Sequence, residues 1–462
     1  MEKKRRGFLE SIAHASTQVM QKFLPDAYIF AAILTFIVFI AVIFVTKQSF
    51  IAAVKHWGGG IWSLLAFSMQ MVLVLVTGHT LALAPPFRKL LDSLSDLPKT
   101  PTQGIVFVTI ISYIACILNW GFGLVIGAIY AKEIAKKTQK IDYRLLIASA
   151  YSGFVLWHAG FSGSIPLTLA GGDLKATGGS LSAAVPVGQT LFSGYNLFIV
   201  LATFIVLPII NALMHPKREE DIISVDPKLF EEVEVKKVTK EDFAKMTPAE
   251  KIENSIVINL ILSVLGFIYI IYYFVSSGKL DLNLNIVNLI FLMLGILLHK
   301  TPRSLLNAFS EATRGAAGIV LQFPLYAGIM GLMTGVSAQT GTSLAMELSN
   351  VFVNISTKTT FPLFTFLSGG IVNFFVPSGG GQWAVQGPIM MPAAAKIGVD
   401  PAKAAMAIAY GDSWTNMIQP FWALPALGIA KLGAKDIMGY TLIVLVVVGI
   451  IITAGLLIPF PS

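Results

Sequence analysis

Apolar residues gather in runs of about 20, the length that spans a hydrocarbon core roughly 30 Å thick. Ile29–Val45, Val187–Ile210 and Ile437–Leu457 are three such runs. They lack period-2 alternation, which predicts helices and argues against a β-barrel. One hydrophilic block, His215–Asn254, interrupts them and splits the chain in two. The positive-inside rule then decides the threading. If Gln103–Lys132 crossed once, the basic run Lys132, Lys136, Lys137, Lys140 and Arg144 would face outward together with the charged block. Treated as a re-entrant hairpin turning at Asn119–Gly123, it leaves most of the 33 Lys and Arg inside. Phe361–Lys396 reads as a second hairpin. Crossings then fall near residues 27–46, 61–84, 145–170, 187–212, 255–276, 285–299, 314–335, 404–430 and 437–459.

The two halves echo each other. Ile117–Asn119 followed by WGFG corresponds to Ile371–Asn373 followed by FFVPSGGG. Ala148, Ala150, Tyr151 and Pro166 each meet an identical residue 259 positions later. Weaker echoes pair Ile29-Phe30 with Ile290-Phe291 and Gln70 with Gln322. The crossing at 255–276 has no partner in the first half, and one extra crossing turns the second repeat upside down. The expected fold is therefore an all-α polytopic membrane protein of two inverted-topology repeats, each with a re-entrant hairpin and a broken transmembrane helix. Its parts are a cytoplasmic amphipathic segment (1–23), a first repeat (24–213), a cytoplasmic linker (214–254), an extra helix (255–276) and a second repeat (277–462). The amino terminus is expected inside and the carboxyl terminus outside. Ser49–Trp57 and Arg303–Arg314 read as interfacial linking arms.

Composition agrees, with 55% hydrophobic and only 13% charged residues, against about a quarter charged in soluble chains. The net charge of +8 then reads as the positive-inside bias and not as a nucleic-acid footprint. MEKKRRGFLE has a basic cluster without a cleavable apolar core, so no signal peptide is expected. A single cysteine, Cys116, allows no internal disulfide. No GxxxxGK[ST], no HExxH and no nucleophile–base set appears, which argues against ATP-driven transport, a metalloenzyme or any other enzyme.

Candidate chemistry lies where helices break. Non-helical backbone at membrane depth survives where protein buries it or where it lines a cavity. One tip is Asn119-Trp120-Gly121-Phe122-Gly123; the other is Pro377-Ser378-Gly379-Gly380-Gly381. Glycines let backbone approach a ligand, and the helix leaving each tip offers N–H groups and a positive dipole end to a carboxylate. Close helix packing is the alternative use of such glycines. Carbonyls ending the first arms, with Asn119 and Asn373, suit a cation such as sodium. The crossings after the hairpins carry Trp157, His158 and Ser162, and Tyr410, Asp412, Ser413, Asn416 and Gln419. Spacings of four and three place Asp412, Asn416 and Gln419 on one helical face before Pro420. An acid inside an apolar crossing is a functional-site hypothesis. Asp412 either takes a proton, helps bind a cation, or stiffens the break by hydrogen bonding. His158 is either a proton carrier or a satisfied neutral ring. Trp120, Phe122, Trp157 and Trp414 suit an alkyl tail or plain packing. Arg314 reads as a snorkelling interface arginine.

LPDAYIFAAILT, WSLLAFSMQMVLVLVTGH, NWGFGLVIGA, FSGSIPL, LFSGYN, VNFFVPSGGGQW, AIAYGDSW and QPFWALPALGIA together resemble the bacterial short-chain fatty acid transporter family, over about Leu24–Tyr440. That family belongs to the ion transporter superfamily. The resemblance implies uptake of short-chain carboxylates such as butyrate or acetoacetate across a bacterial inner membrane, coupled to sodium or protons. It implies no other cofactor, a homodimer, and an elevator motion of the hairpin-bearing part. Matched residue by residue, it places the tips at Asn119–Gly123 and Asn373–Gln382, and the breaks at Ser152–Ser164 and Asp412–Gln419. WGFG and PSGGG depart from the Ser-Asn-Thr tips of dicarboxylate relatives. A passive small-anion channel, its re-entrant loops forming a fixed filter, is the competing expectation.

Overall fold

The structure is a computed structural model describing residues 7–23, 27–225, 240–277, 284–377 and 379–460. Among the described residues it is helical with no strand. An amphipathic helix, α1 (Phe8–Phe23), precedes a first series: α2 (Ala27–Val45), α3 (Phe50–Gly60), α4 (Leu65–Leu83) and α5 (Pro85–Ser95). The series continues with α6 (Pro101–Leu118), α7 (Trp120–Lys137), α8 (Tyr143–Ser152), α9 (Ser164–Ala170) and α10 (Gly194–Leu213). The hydrophilic block carries α11 (Lys240–Lys245) and α12 (Pro248–Glu253), so the expected solvated loop is partly helical. Then come α13 (Val257–Ser277), α14 (Leu284–His299), α15 (Pro302–Thr313), α16 (Ala317–Thr334) and α17 (Leu344–Asn354). The last five are α18 (Phe361–Asn373), α19 (Gly379–Ile397), α20 (Pro401–Thr415), α21 (Leu424–Ala430) and α22 (Ala434–Leu457).

Local chemistry sets many of these boundaries. Thr100-Pro101, Thr301-Pro302 and Asp400-Pro401 each supply a side-chain cap followed by a proline inside the first turn. The proline lacks an N–H that would have no helical partner, and the cap accepts one of those remaining. Ser193 accepts from Asn196 and starts α10 several residues later than the apolar run begins. The two expected broken crossings are broken. After α8 the chain passes through a 3-10 turn, Gly153–Ala159, kinked at Leu156, before α9. After α20 it passes through Phe421–Ala423 before α21.

The order α2 to α10 recurs as α14 to α22, with α13 between the two series. Contacts follow the same exchange. Helix α4 packs on α14 and α15, while α16 packs on α2 and α3. Helix α6 packs on α7, α8 and α10, while α18 packs on α19, α20 and α22. Among the described residues, six helical segments, 101–118, 143–170, 194–213, 248–277, 317–334 and 434–457, are long and apolar enough to cross a membrane. Shorter apolar helices, among them 31–45 and 285–299, accompany them.

Helix α20 lies at the centre, with Ala404, Ala405, Ala407 and Ala409 fully buried. Small residues there let backbones approach closely. A methyl group on Gly411 would come within 2.4 Å of the Phe366 carbonyl oxygen and 2.7 Å of Gly369 Cα, so α18 and α20 touch along their main chains.

Candidate functional site

The second tip is held by side-chain amides. Asn373 ends α18, and its Nδ2 lies within hydrogen-bond distance of the Asp412 carbonyl (2.7 Å), Thr415 Oγ1 (3.0 Å) and Asn416 Oδ1 (3.0 Å). Two amide hydrogens are thus shared among three acceptors. Thr415 Oγ1 donates onward to the Gly370 carbonyl at 2.9 Å. Gln382 Nε2 donates to the Gly369 carbonyl (2.8 Å) and to Gln386 Oε1 (2.7 Å), stitching α19 to α18. Pro377 is buried, Gly379, Gly380 and Gly381 open α19, and Ser378 lies outside the described residues. Gly379 rests flush on the first break: a methyl group there would lie 2.6 Å from His158 Nε2 and 3.0 Å from Trp157 Cη2. The same methyl group on exposed Gly380 would meet nothing within 4 Å.

Asp412 and His158 face each other at 3.4 Å (Oδ1 to Nε2), both with side chains 0% exposed. Apart from this contact with each other, neither the carboxylate nor the ring has a hydrogen-bond partner. The same is true of Asn373 Oδ1, Gln382 Oε1 and Asn416 Nδ2. Buried polar atoms are nearly always partnered, and each orphan costs about 1–3 kcal/mol. Side chains with unpartnered polar atoms thus gather where the α18–α19 turn meets the two interrupted crossings, an arrangement suited to holding a ligand. Gln419 departs from the shared face expected of it. Helix α20 ends at Thr415, and Gln419 Oε1 instead accepts the Phe421 N–H at 3.1 Å, starting the next turn.

The first tip is built differently. Asn119 is at once the last residue before the break and the cap of α7, its Oδ1 accepting the Phe122 N–H at 3.0 Å. The Trp120 N–H donates to Ser162 Oγ at 2.9 Å. Two of the three leading N–H groups expected to be free are therefore engaged. Gly121 is buried, and Gly123 lets α7 lie against Cys116 of α6.

Two other expected site residues serve as ties, and a third bonds within its own helix. Ser152 Oγ accepts from Asn211 Nδ2 at 2.9 Å, joining α8 to α10. Tyr410 donates to Asn196 Oδ1 at 2.6 Å, joining α20 to α10. Ser413 donates back to the Tyr410 carbonyl at 3.3 Å.

The expected aromatic surroundings are half corrected. Phe122 packs on Phe291, 5.4 Å between centroids, in a separate apolar cluster with Leu81 and Val287, and Trp414 donates to the Leu445 carbonyl with its ring on Phe366. Trp120 and Trp157 do converge, 5.7 Å apart, with two rings the sequence reading passed over, Phe154 and Trp422. Nothing short of the tertiary packing marks those two out, because each lies in a turn without helical periodicity. Arg314 is exposed at the end of α15, away from this cluster. No group of three or more His, Cys, Asp or Glu side chains is placed to hold a metal among the described residues. On these side chains, the buried oxygens without a protein hydrogen bond beyond the His158 contact are those of Asp412, Asn373 and Gln382.

A helical bundle with apolar spans, closed around a buried polar cluster at interrupted helices, defines a multi-pass membrane transport protein. The chain belongs to the short-chain fatty acid transporter family, whose profile matches residues 8–458. It is 46% identical over 450 residues to "Putative short-chain fatty acid transporter" of Escherichia coli K12, covering 96% of this chain and 98% of that one. It is 45% identical over 455 residues to the protein of the same name in Haemophilus influenzae, covering 97% and 99%. Among solved structures, the Alcanivorax borkumensis YdaH transporter aligns with 93% of this chain and 98% of its own, at 15% identity and a TM-score of 0.41. That likeness is too distant to carry residues across.

Proposed function

We propose that this protein is a secondary active transporter taking up short-chain fatty acids such as butyrate or acetoacetate across a bacterial inner membrane, driven by a sodium or proton gradient. The observation that carries this reading is the orphaned set His158, Asp412, Asn373, Gln382 and Asn416 beside the glycine-opened start of α19. The substrate carboxylate sits at that helix start on the open Gly380 side, where N–H groups and the dipole favour an anion, with Gly379 closed against His158. Asp412 is the coupling group. It takes a proton, or holds sodium with Asn373 Oδ1 and Gln382 Oε1; Asn119 is the weaker partner because its oxygen already caps α7. Buried acids of this kind mark ion pathways in membrane proteins.

The recurring helix order supports two inverted repeats whose hairpins re-enter from opposite sides, with the amino terminus cytoplasmic and the carboxyl terminus outside. In this reading the hairpins and broken helices move together as an elevator against the remaining helices, in a homodimer. The test uses purified protein in liposomes, following labelled butyrate under separately imposed sodium and proton gradients. One gradient should drive saturable accumulation that unlabelled butyrate competes, and Asp412→Asn should abolish the coupling. Uptake that neither saturates nor follows a gradient would leave a passive anion channel in its place.

A further inference from the structure

We propose that a cleft under α1 is a second binding site, one that takes a small monocarboxylate on Arg144. The cleft holds about 190 Å³ of space open to water-sized molecules. One water needs about 10–15 Å³ on that measure, so a small organic anion fits. Its walls come from α1, the start of α8, the first residues after α10 and the start of α22. Helix α1 is fixed in place as one of them: a methyl group on Gly439 of α22 would lie 2.4 Å from Thr17 Cα. Glu10 fastens the same helix to the hydrophilic block. Its Oε1 accepts the Lys217 N–H and its Oε2 the Gly7 N–H, both at 2.8 Å. The cleft shares no residue with the cluster around Asp412.

Arg144 supplies the charge. Its side chain is 11% exposed, and Nη2 donates to Asp142 Oδ2 at 3.3 Å. Its Nε is buried and donates to nothing. Asp142 is not free to turn toward it, because its oxygens also accept from the Leu145 and Ile223 N–H groups, both at 2.9 Å, and from the Tyr440 hydroxyl at 3.4 Å. A guanidinium edge with a spare N–H is the ordinary partner of a carboxylate. Thr17 Oγ1 lines the same cleft, buried and beside the Tyr440 hydroxyl without a hydrogen bond of full geometry. The acids on the walls limit the charge of the guest. Glu10 is held by two main-chain N–H groups, Glu220 lies 3.8 Å from Arg218, and Asp221 has partners of its own. Arg144 balances a monoanion among them, while a dianion is repelled. Ala13, Met214 and Ile223 offer apolar surface to a short tail. Asp142 caps α8, which leads to the break at His158, and holds the block at Ile223, so an anion on Arg144 sits where the two join. In the proposed threading this is the side on which transported acid emerges, which makes the guest the product; that role rests on the transport reading, and the binding does not.

The experiment follows a thiol reagent on the full-length protein in detergent, with His14→Cys as the reporter in the cleft; the native Cys116 is buried. Butyrate should slow the labelling saturably, and succinate and inorganic phosphate should do so less. Adding Arg144→Gln should raise the butyrate concentration needed by roughly tenfold or more, the worth of a charge-assisted hydrogen bond. Ala13→Leu, which fills the cleft and leaves every charge in place, should do the same, and it keeps the test alive if the glutamine variant does not fold by thermal unfolding. Adding Asp412→Asn should leave the protection intact. Labelling indifferent to butyrate, or protection unchanged in a folded Arg144→Gln or Ala13→Leu variant, would overturn the site. Equal protection by succinate would overturn the monocarboxylate assignment. Protection lost in a folded Asp412→Asn variant would move the effect to the transport site and overturn the second one.

Discussion

Gly379 and Gly380 are adjacent, identical and both in the first turn of α19, yet the same substitution should have opposite effects at the two. Gly→Ala at a helical position with room gains about 0.5–1 kcal/mol, from helix propensity and a less flexible unfolded chain. At Gly380 nothing stands within 4 Å of the new methyl group, so Gly380→Ala should show that gain or no loss. At Gly379 the methyl group falls 2.6 Å from His158 Nε2, 2.7 Å from His158 Cε1 and 3.0 Å from Trp157 Cη2. Carbon contacts relax at about 3.5–4.0 Å, so rings or tip must shift by roughly 1 Å. His158 is 0% and Trp157 1% exposed, and neither can swing into solvent. Overpacking of this kind costs about 1–3 kcal/mol, which exceeds the propensity gain. Gly379→Ala should therefore lower the thermal midpoint in detergent relative to Gly380→Ala, and it should also lose butyrate uptake because His158 is pushed from its 3.4 Å station beside Asp412. Equal midpoints for the two variants would refute the placement of this tip.

Tyr410→Phe removes the donor to Asn196 Oδ1 and leaves a buried acceptor alone, so it should destabilise by about 1–3 kcal/mol. Because Tyr410 ties helices together, the butyrate half-saturation in the surviving folded protein should stay near wild type. His215, beyond the end of α10, accepts the Asp142 N–H through Nε2 at 3.2 Å, which only the neutral ring can do. Burial holds its pKa below the usual 6.5, with Asp142 and Glu10 opposing. The unfolded chain therefore protonates first, and stability present above about pH 6.5 should be lost as pH falls through and below that value. Thermal midpoints between pH 8 and 5 should fall more steeply for wild type than for His215→Gln; parallel slopes would remove His215 from this role.

Much of the architecture was legible because lipid enforces it. A backbone that must satisfy its own hydrogen bonds leaves long apolar runs one option, and departures stand out as glycine and proline. Thus both breaks, both helix–turn–helix pairs and the odd helix α13 were read from pattern. Helix starts shifted by a few residues where a side-chain cap, such as Ser193, overruled hydrophobicity. The site was legible in part. Asp412, His158, Asn373 and the second glycine tip lie together, and polar and flexible residues in an apolar helix need a reason to be there; Gln382 was marked only by the family resemblance. Ser152 and Tyr410 fit the same criterion and tie helices together, and Ser413 bonds back within α20, uses that leave the same trace in sequence.

What the sequence determined by itself is a helical membrane protein in two echoing halves, interrupted at four places, with one acid at an interruption. Those properties follow from each residue's own transfer energy and backbone freedom. What the tertiary structure decided is which interruption faces which. It set Gly379 on His158, turned Gln419 out of line, packed Phe122 on Phe291, and gathered Trp422 with Trp120. Distances between segments far apart in sequence depend on how whole helices pack, and no local pattern encodes them. The two tips, so alike in sequence, end up chemically different for that reason: one has engaged its leading donors, and the other lies beside five side chains with orphaned polar atoms.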